Sequence, residues 1–122
     1  MHKVPVVKIA VVILSDTETP EDLGRVVNAL VAVKEFQDAK DEVTLIFDGA
    51  GTKWIGELAK PTHAYHSLFE AVREKIAGVC CYCAGAFQAT ENAIAHVPLL
   101  AEYDGHPSFR KLIIKGYQVL IF

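Results

Sequence analysis

Three cysteines lie within four consecutive positions and are the only cysteines in the sequence. Cys80, Cys81 and Cys83 belong to the decapeptide GVCCYCAGAF, residues 78–87. Cysteine used as core filler would be spread along the chain, so the clustering raises three hypotheses: sulfur chemistry, a metal site, or inert buried thiols. Because Cys80 and Cys83 have CxxC spacing, which brings two cysteines within disulfide range, they are the predicted reactive pair.

The third cysteine is predicted to have a different role. A strand over 78–82 would point the side chains of Cys80 and Cys81 to opposite faces. We therefore expect Cys81 to pack into the core and only Cys80 and Cys83 to be accessible. By analogy with dithiol motifs at helix starts, Cys80 is expected to be the exposed nucleophile and Cys83 its partner.

Composition narrows the class of protein. The 122 residues suit one domain, 1–122, and a net charge of −3 with dispersed basic residues argues against binding nucleic acid. The opening MHKVPVVKIAVVILSD is interrupted by lysines and ends in aspartate, so we expect neither a signal peptide nor a membrane span. A cytoplasmic location follows as a prediction, and there an odd number of cysteines indicates free thiols rather than disulfides.

Apolar runs alternate with helical patterns along the whole chain. This alternation predicts a three-layer α/β/α fold with a roughly five-stranded parallel sheet, flavodoxin-like or Rossmann-like, whose strand order stays open. The predicted strands are 6–14, 43–47, 78–82, 97–101 and 117–122, and the predicted helices are 20–39, 53–59, 67–76, 84–96 and 108–115.

In such sheets, ligands bind beyond the carboxyl ends of the strands. Beside the cysteines, that edge is predicted to hold polar residues that could bind substrate or assist a thiol: Asp16, Thr17, Asp48, Lys53, Tyr103 and His106. Two other motifs receive structural interpretations. DGAGTKWIG, 48–56, is predicted to be a turn rather than a phosphate loop, and His63 and His66 are predicted to be a solvated or capping pair rather than metal ligands.

The order of elements, with CCYCAGAFQ closing the third strand, resembles the DsrE/DsrF-like family. The resemblance covers nearly the whole chain. It departs at Phe87 and Gln88, where relatives with this motif carry an arginine-glycine pair. It implies a small α/β protein that assembles into a homo-oligomer, with a trimer or a hexamer as candidates. It also implies a persulfide carrier with sulfur on Cys80, working between donor and acceptor proteins.

Two alternatives remain beside a sulfur carrier. Cys80 and Cys83 could be soft metal ligands in an oligomeric binding module, or a redox dithiol, with a histidine or a second subunit completing a metal site. The thiols could instead be inert in a structural subunit. One CxxC cannot complete an all-sulfur tetrahedral site, so neither a metal nor another cofactor is expected.

Overall fold

Five parallel strands form a single sheet in the computed structural model, which describes residues 5–122. The first four residues of the predicted 1–122 domain lie outside the described residues. The strands are β1 (Lys8–Ile13), β2 (Glu42–Phe47), β3 (Ile76–Cys80), β4 (Leu99–Leu100) and β5 (Gln118–Ile121). This sheet confirms the predicted parallel α/β fold, and its order is β4-β3-β2-β1-β5.

Helices connect every pair of consecutive strands. They are α1 (Pro20–Asp38), α2 (Trp54–Leu58), α3 (His66–Val72), α4 (Cys81–Ala86), α5 (Thr90–Ile94) and α6 (Phe109–Ile114), with short 3-10 helices at Gly49–Lys53 and Arg73–Lys75. The first begins as its sequence predicts: the Thr19 hydroxyl accepts a hydrogen bond from the Asp22 amide at 3.1 Å, and the Asp22 carboxylate accepts one from the Thr19 amide at 3.2 Å. This reciprocal cap, with Pro20 in the first helical position, fixes where α1 starts.

The strand order places the two faces of the sheet in different environments. From β1 to β4, each strand lies beside the one before it, so the sheet grows in one direction. Right-handed crossovers between these strands place the connecting helices on one face. The large apolar core lies there, built from alternate strand residues such as Val11, Leu45 and Phe47 packed with Leu30 and Phe69. The final crossover runs back past β1 to β5, so α6 lies on the opposite face.

Several predicted elements have different bounds in the structure. The predicted helix 67–76 ends at Val72, and Ile76 is the first residue of β3. The third strand ends at Cys80 rather than residue 82, and α4 begins at Cys81 without a connecting loop. The predicted helix 84–96 is two short helices, α4 and α5, separated near Gln88, whose φ of 56° is left-handed. Because no L-residue continues an α-helix from that conformation, the helical periodicity on both sides conceals a break.

Within residues 5–122, none of the helices combines the length and the apolar composition required to cross a bilayer.

Gly78 gives a test of the contact between β3 and β4. Its φ is +152°, and an added Cβ would lie 2.4 Å from the carbonyl oxygen of Pro98. We expect Gly78→Ala to lower the free energy of unfolding by about 2–5 kcal/mol, because it combines backbone strain with overpacking. Chemical denaturation measures this change.

Gly24→Ala is the matched control. This glycine lies within α1, and an added Cβ there meets no atom within 4 Å. The control should raise stability by about 0.5–1 kcal/mol. Equal stability of Gly78→Ala and the wild type would contradict the close approach of the two strands.

Candidate functional site

Parallel pairing places an acidic side chain next to the first cysteine of the CxxC pair. Phe47 of β2 pairs with Val79 of β3. Asp48 follows Phe47 in the chain, and Cys80 follows Val79. Asp48 is 7% exposed and Cys80 is fully buried. The Asp48 carboxylate also accepts a hydrogen bond from the Gly49 amide at 2.8 Å, which caps the 3-10 helix that follows. A carboxylate and a thiol therefore lie side by side at the carboxyl edge of the sheet.

The direct transition from β3 into α4 brings the second cysteine back toward the first. Cys83 lies in the first turn of α4, and its amide donates a hydrogen bond to the Cys80 sulfur at 3.4 Å. Its side chain is half-buried, and both cysteines are free thiols. The pair is thus a dithiol with one buried and one accessible sulfur.

A tight hairpin supplies the histidine. Tyr103 and His106 exchange backbone hydrogen bonds of 2.9 and 2.8 Å, while Asp104 and Gly105 between them have φ values of 48° and 83°. Two consecutive positive φ angles are characteristic of a type I′ turn, for which Asp-Gly is a preferred sequence. The Tyr82 amide donates to the Gly105 carbonyl at 2.9 Å, anchoring this turn to α4.

His106 reaches the buried thiol directly. Its Nδ1 lies 3.2 Å from the Cys80 sulfur, and its ring stacks at 4.9 Å on that of Tyr82. The four side chains of Asp48, Cys80, Cys83 and His106 each contribute one carboxylate, sulfur or imidazole atom, and these atoms all lie within 4.8 Å of one another. We refer to these four residues as the thiol cluster.

The surroundings of Cys80 determine its protonation state. Burial raises the pKa of Cys80 to about 12, and the negative charge of Asp48 acts in the same direction. Because an uncharged thiol is the stable form under those conditions, Cys80 stays protonated at neutral pH. In that form its S–H can donate to the imidazole of His106.

This arrangement corrects two predictions. Cys80 was expected to be the exposed nucleophile, but it is fully buried. Cys81 was expected to pack into the core, yet its side chain is half-buried. The error at Cys81 arises because β3 ends at Cys80, so Cys81 follows the geometry of a helix rather than the alternation of a strand. Cys80 is buried because the first turn of α4 and the His106 side chain lie against its sulfur.

Other predicted site residues lie outside the thiol cluster. Lys53 Nζ is 2.5 Å from the Asp16 carboxylate and 3.4 Å from that of Glu18. The hydrogen bond from Lys53 is the main cause that lowers the pKa of Asp16. Thr17 donates its amide to the same carboxylate at 2.7 Å. These residues form a surface ion-pair group.

Tyr103 and the predicted histidine pair are also outside the cluster. Tyr103 is 69% exposed at the outer end of the hairpin. His63 Nδ1 accepts a hydrogen bond from the Tyr65 amide, and His66 Nδ1 lies 2.8 Å from the Leu58 carbonyl oxygen. Both are local contacts with backbone atoms, and the N-cap residue of α3, Tyr65, makes no side-chain capping bond. The predicted turn at DGAGTKWIG is the 3-10 helix Gly49–Lys53.

Comparison with known proteins adds one relative. No protein-family model matches the chain. Over 93 residues it is 29% identical to the uncharacterized protein MJ0733 of Methanocaldococcus jannaschii, an alignment covering 76% of each chain. Since the relative's name states no activity, the resemblance to the DsrE/DsrF-like family stays a prediction.

Alkylation of the folded, reduced protein tests the accessibility of the three thiols. We expect iodoacetamide to modify Cys81 and Cys83 at neutral pH, with Cys80 at least about tenfold slower because it requires local opening. Raising the pH from 7 to 9 should not bring the labelling of Cys80 to a fast rate, since burial raises its pKa to about 12 and keeps it protonated. Peptide mass spectrometry identifies the modified residue. Fastest labelling at Cys80 would contradict its burial, and the denatured protein, in which all three should react, is the control.

Proposed function

We propose that this protein carries sulfane sulfur as a persulfide on Cys83. The proposal rests on the CxxC dithiol at the carboxyl edge of the sheet. The sulfur of the half-buried Cys83 lies within 4.8 Å of the sulfur of the buried Cys80, and within the same distance of an imidazole nitrogen of His106. The DsrE/DsrF-like resemblance supports the same chemistry, although it assigned the sulfur to Cys80. Burial of Cys80 favours the reverse assignment.

Loading is a displacement at sulfur. The Cys83 thiolate attacks the terminal sulfur of a donor persulfide, R–S–SH. A bond forms between Cys83 Sγ and that sulfur while the donor S–S bond breaks. The products are Cys83–S–SH and the donor thiolate R–S⁻, so atoms and charge balance without an external oxidant.

Unloading can follow two courses. An acceptor thiolate can attack the terminal sulfur, which regenerates the Cys83 thiolate and produces an acceptor persulfide. Alternatively, Cys80 can transfer its proton to His106 Nδ1 and attack Cys83 Sγ, forming a Cys80–Cys83 disulfide and releasing HS⁻. In that reaction two thiol sulfurs are oxidised and the sulfane sulfur is reduced. Keeping Cys80 protonated suppresses this loss and favours transfer to an acceptor.

The donor and acceptor are expected to be proteins or small thiols of a reducing compartment. A cytoplasmic location suits this chemistry, because reduced glutathione and thioredoxin keep cysteines in the thiol form there.

Sulfur loading can be mapped on single variants. The reduced protein is treated with inorganic polysulfide at neutral pH, freed of reagent and analysed by intact and peptide mass spectrometry. We expect the added sulfur mainly on Cys83 in the wild type and a large loss of adduct in Cys83→Ser, because Cys81 lies outside the thiol cluster that contains the imidazole. Cys80→Ser should retain the adduct for longer, because the internal disulfide that expels HS⁻ can no longer form.

Cys81→Ser is the matched control, since Cys81 is also half-buried and belongs to the same helix. It should load like the wild type. Retention of the adduct in Cys83→Ser with its loss in Cys80→Ser would reverse the assigned roles. A wild type that takes up no sulfur would exclude the persulfide carrier.

We also propose that the chain forms a homo-oligomer through α6. No residue of this helix is buried. Its large apolar side chains are therefore exposed: Phe109 is 39% exposed, Ile113 58% and Ile114 64%. Leu120 and Ile121 on the neighbouring edge strand β5 are 38 and 55% exposed. Exposed apolar side chains on a helix and on the adjacent edge strand are typical of a protein interface, and a second copy of the chain is the proposed partner.

Analytical ultracentrifugation at micromolar concentration tests the assembly. We expect a species larger than the monomer, with trimer and hexamer as the candidates that the family resemblance provides. Ile113→Glu combined with Ile114→Glu should shift the protein toward monomer while leaving its circular dichroism unchanged. Val31→Glu changes an exposed apolar residue on α1 and should leave the assembly intact. A monomeric wild type would exclude the oligomer.

A further inference from the structure

The thiol cluster contains a complete set of ligands for one metal ion within a single chain. We propose that Asp48, Cys80, Cys83 and His106 bind one Zn²⁺ ion in tetrahedral coordination. This inference goes beyond sulfur transfer and does not rest on it. It also departs from the expectation of no metal, which rested on the lack of a second CxxC motif, and it gives the metal-binding alternative a specific set of ligands.

The spacing of the four donor atoms suits a small ion. Zinc bonds of about 2.0–2.3 Å place tetrahedral ligand atoms about 3.3–3.8 Å apart. The Cys80 sulfur and His106 Nδ1 are already 3.2 Å apart, and the largest separation in the cluster is within 4.8 Å. Closing the set around an ion therefore requires only small rotations of side chains, with no rearrangement of the backbone.

The donor types select the class of metal. Two thiolates and an imidazole are ligands for Zn²⁺ and similar transition metals, whereas Mg²⁺ and Ca²⁺ prefer sites made wholly of oxygen. The fourth donor, Asp48, can use the carboxylate oxygen that does not accept the hydrogen bond from Gly49. The set thus combines two sulfurs, one nitrogen and one oxygen.

Charge provides an independent argument. Asp48 is 7% exposed, and within residues 5–122 no lysine or arginine forms an ion pair with it. Lys53, only five positions away, pairs with Asp16 and Glu18 instead. Buried charges in proteins are generally paired or bound to a metal, and a dication here would compensate Asp48 while replacing the protons of both thiols.

The surroundings allow entry and hold the ligands in place. Asp48 and Cys80 form the buried side of the cluster, and the half-buried Cys83 and His106 form its outer side. The Tyr82 ring packs against His106, and the hydrogen bond from Tyr82 to Gly105 fixes the hairpin. An ion can therefore approach past residues whose orientations are already restrained.

Metal binding by the reduced, metal-free full chain tests the proposal. Under anaerobic conditions, Co²⁺ should give thiolate-to-cobalt charge-transfer absorption and the intense visible bands of a tetrahedral site, and Zn²⁺ should displace it at one ion per chain. Competition with a chromophoric chelator gives the Zn²⁺ affinity. We expect Cys83→Ser and His106→Ala each to weaken binding at least about tenfold, the lower bound seen when even a supporting residue is removed.

Two further variants separate ligation from folding. Asp48→Asn retains a side chain that can cap the Gly49 amide but removes the charge, and should also weaken Zn²⁺ at least about tenfold. Cys80→Ser should do the same, and circular dichroism checks that this buried variant folds. If it does not, the half-buried Cys83 and His106 variants decide the result. Cys81→Ser and His96→Gln, outside the cluster, should bind like the wild type.

Several results would overturn the proposal. These are a wild-type stoichiometry well below one, a cobalt spectrum without thiolate charge transfer, or unchanged affinity in Cys83→Ser and His106→Ala. Zn²⁺ should also raise the melting temperature of the wild type more than that of Cys83→Ser. Because these measurements need no sulfur donor, failure to bind Zn²⁺ and failure to load sulfur are separate outcomes.

Discussion

The pairing of β2 with β3 is the constraint on which the site depends. Because Phe47 pairs with Val79, the residues that follow them, Asp48 and Cys80, are neighbours at the ends of the two strands. A slip of one residue would turn one of these side chains toward the opposite face of the sheet. The same register holds Val79 and Phe47 in the apolar core. The packing of the core therefore also fixes the relative positions of a carboxylate and a thiol at the edge of the sheet.

Burial then gives the paired residues their chemical character. Where water is excluded, a thiolate beside a carboxylate is destabilised by loss of solvation and by charge repulsion, so Cys80 retains its proton beside Asp48. Cys83, one helical turn away, is only half-buried. The CxxC motif is thus asymmetric. A sulfur carrier would use the asymmetry to protect its cargo, and a metal ion would remove it by compensating the charges.

The reversal of direction between β4 and β5 has a separate consequence. The reversal leaves α6 on the face of the sheet opposite the main apolar core. None of the residues of this helix is buried. The hairpin that carries His106 lies between β4 and α6, so the exposed apolar surface and the thiol cluster are connected through one short segment. Assembly through α6 would therefore act close to the cluster.

The sequence by itself determined the parallel α/β class, the cap of α1, the CxxC pair, and the place of Asp48 and His106 at the carboxyl edge of the sheet. These features depend on local periodicity and on a general rule about strand ends, both of which a sequence contains. Only the tertiary structure decided the strand order, the break near Gln88, and which cysteine is buried. Apolar periodicity does not report a two-residue shift in the end of β3, because Cys81 and Tyr82 suit a strand or a helix. The meeting of Asp48, Cys80, Cys83 and His106 is set by strand register and a hairpin turn, which bring together residues up to 58 positions apart.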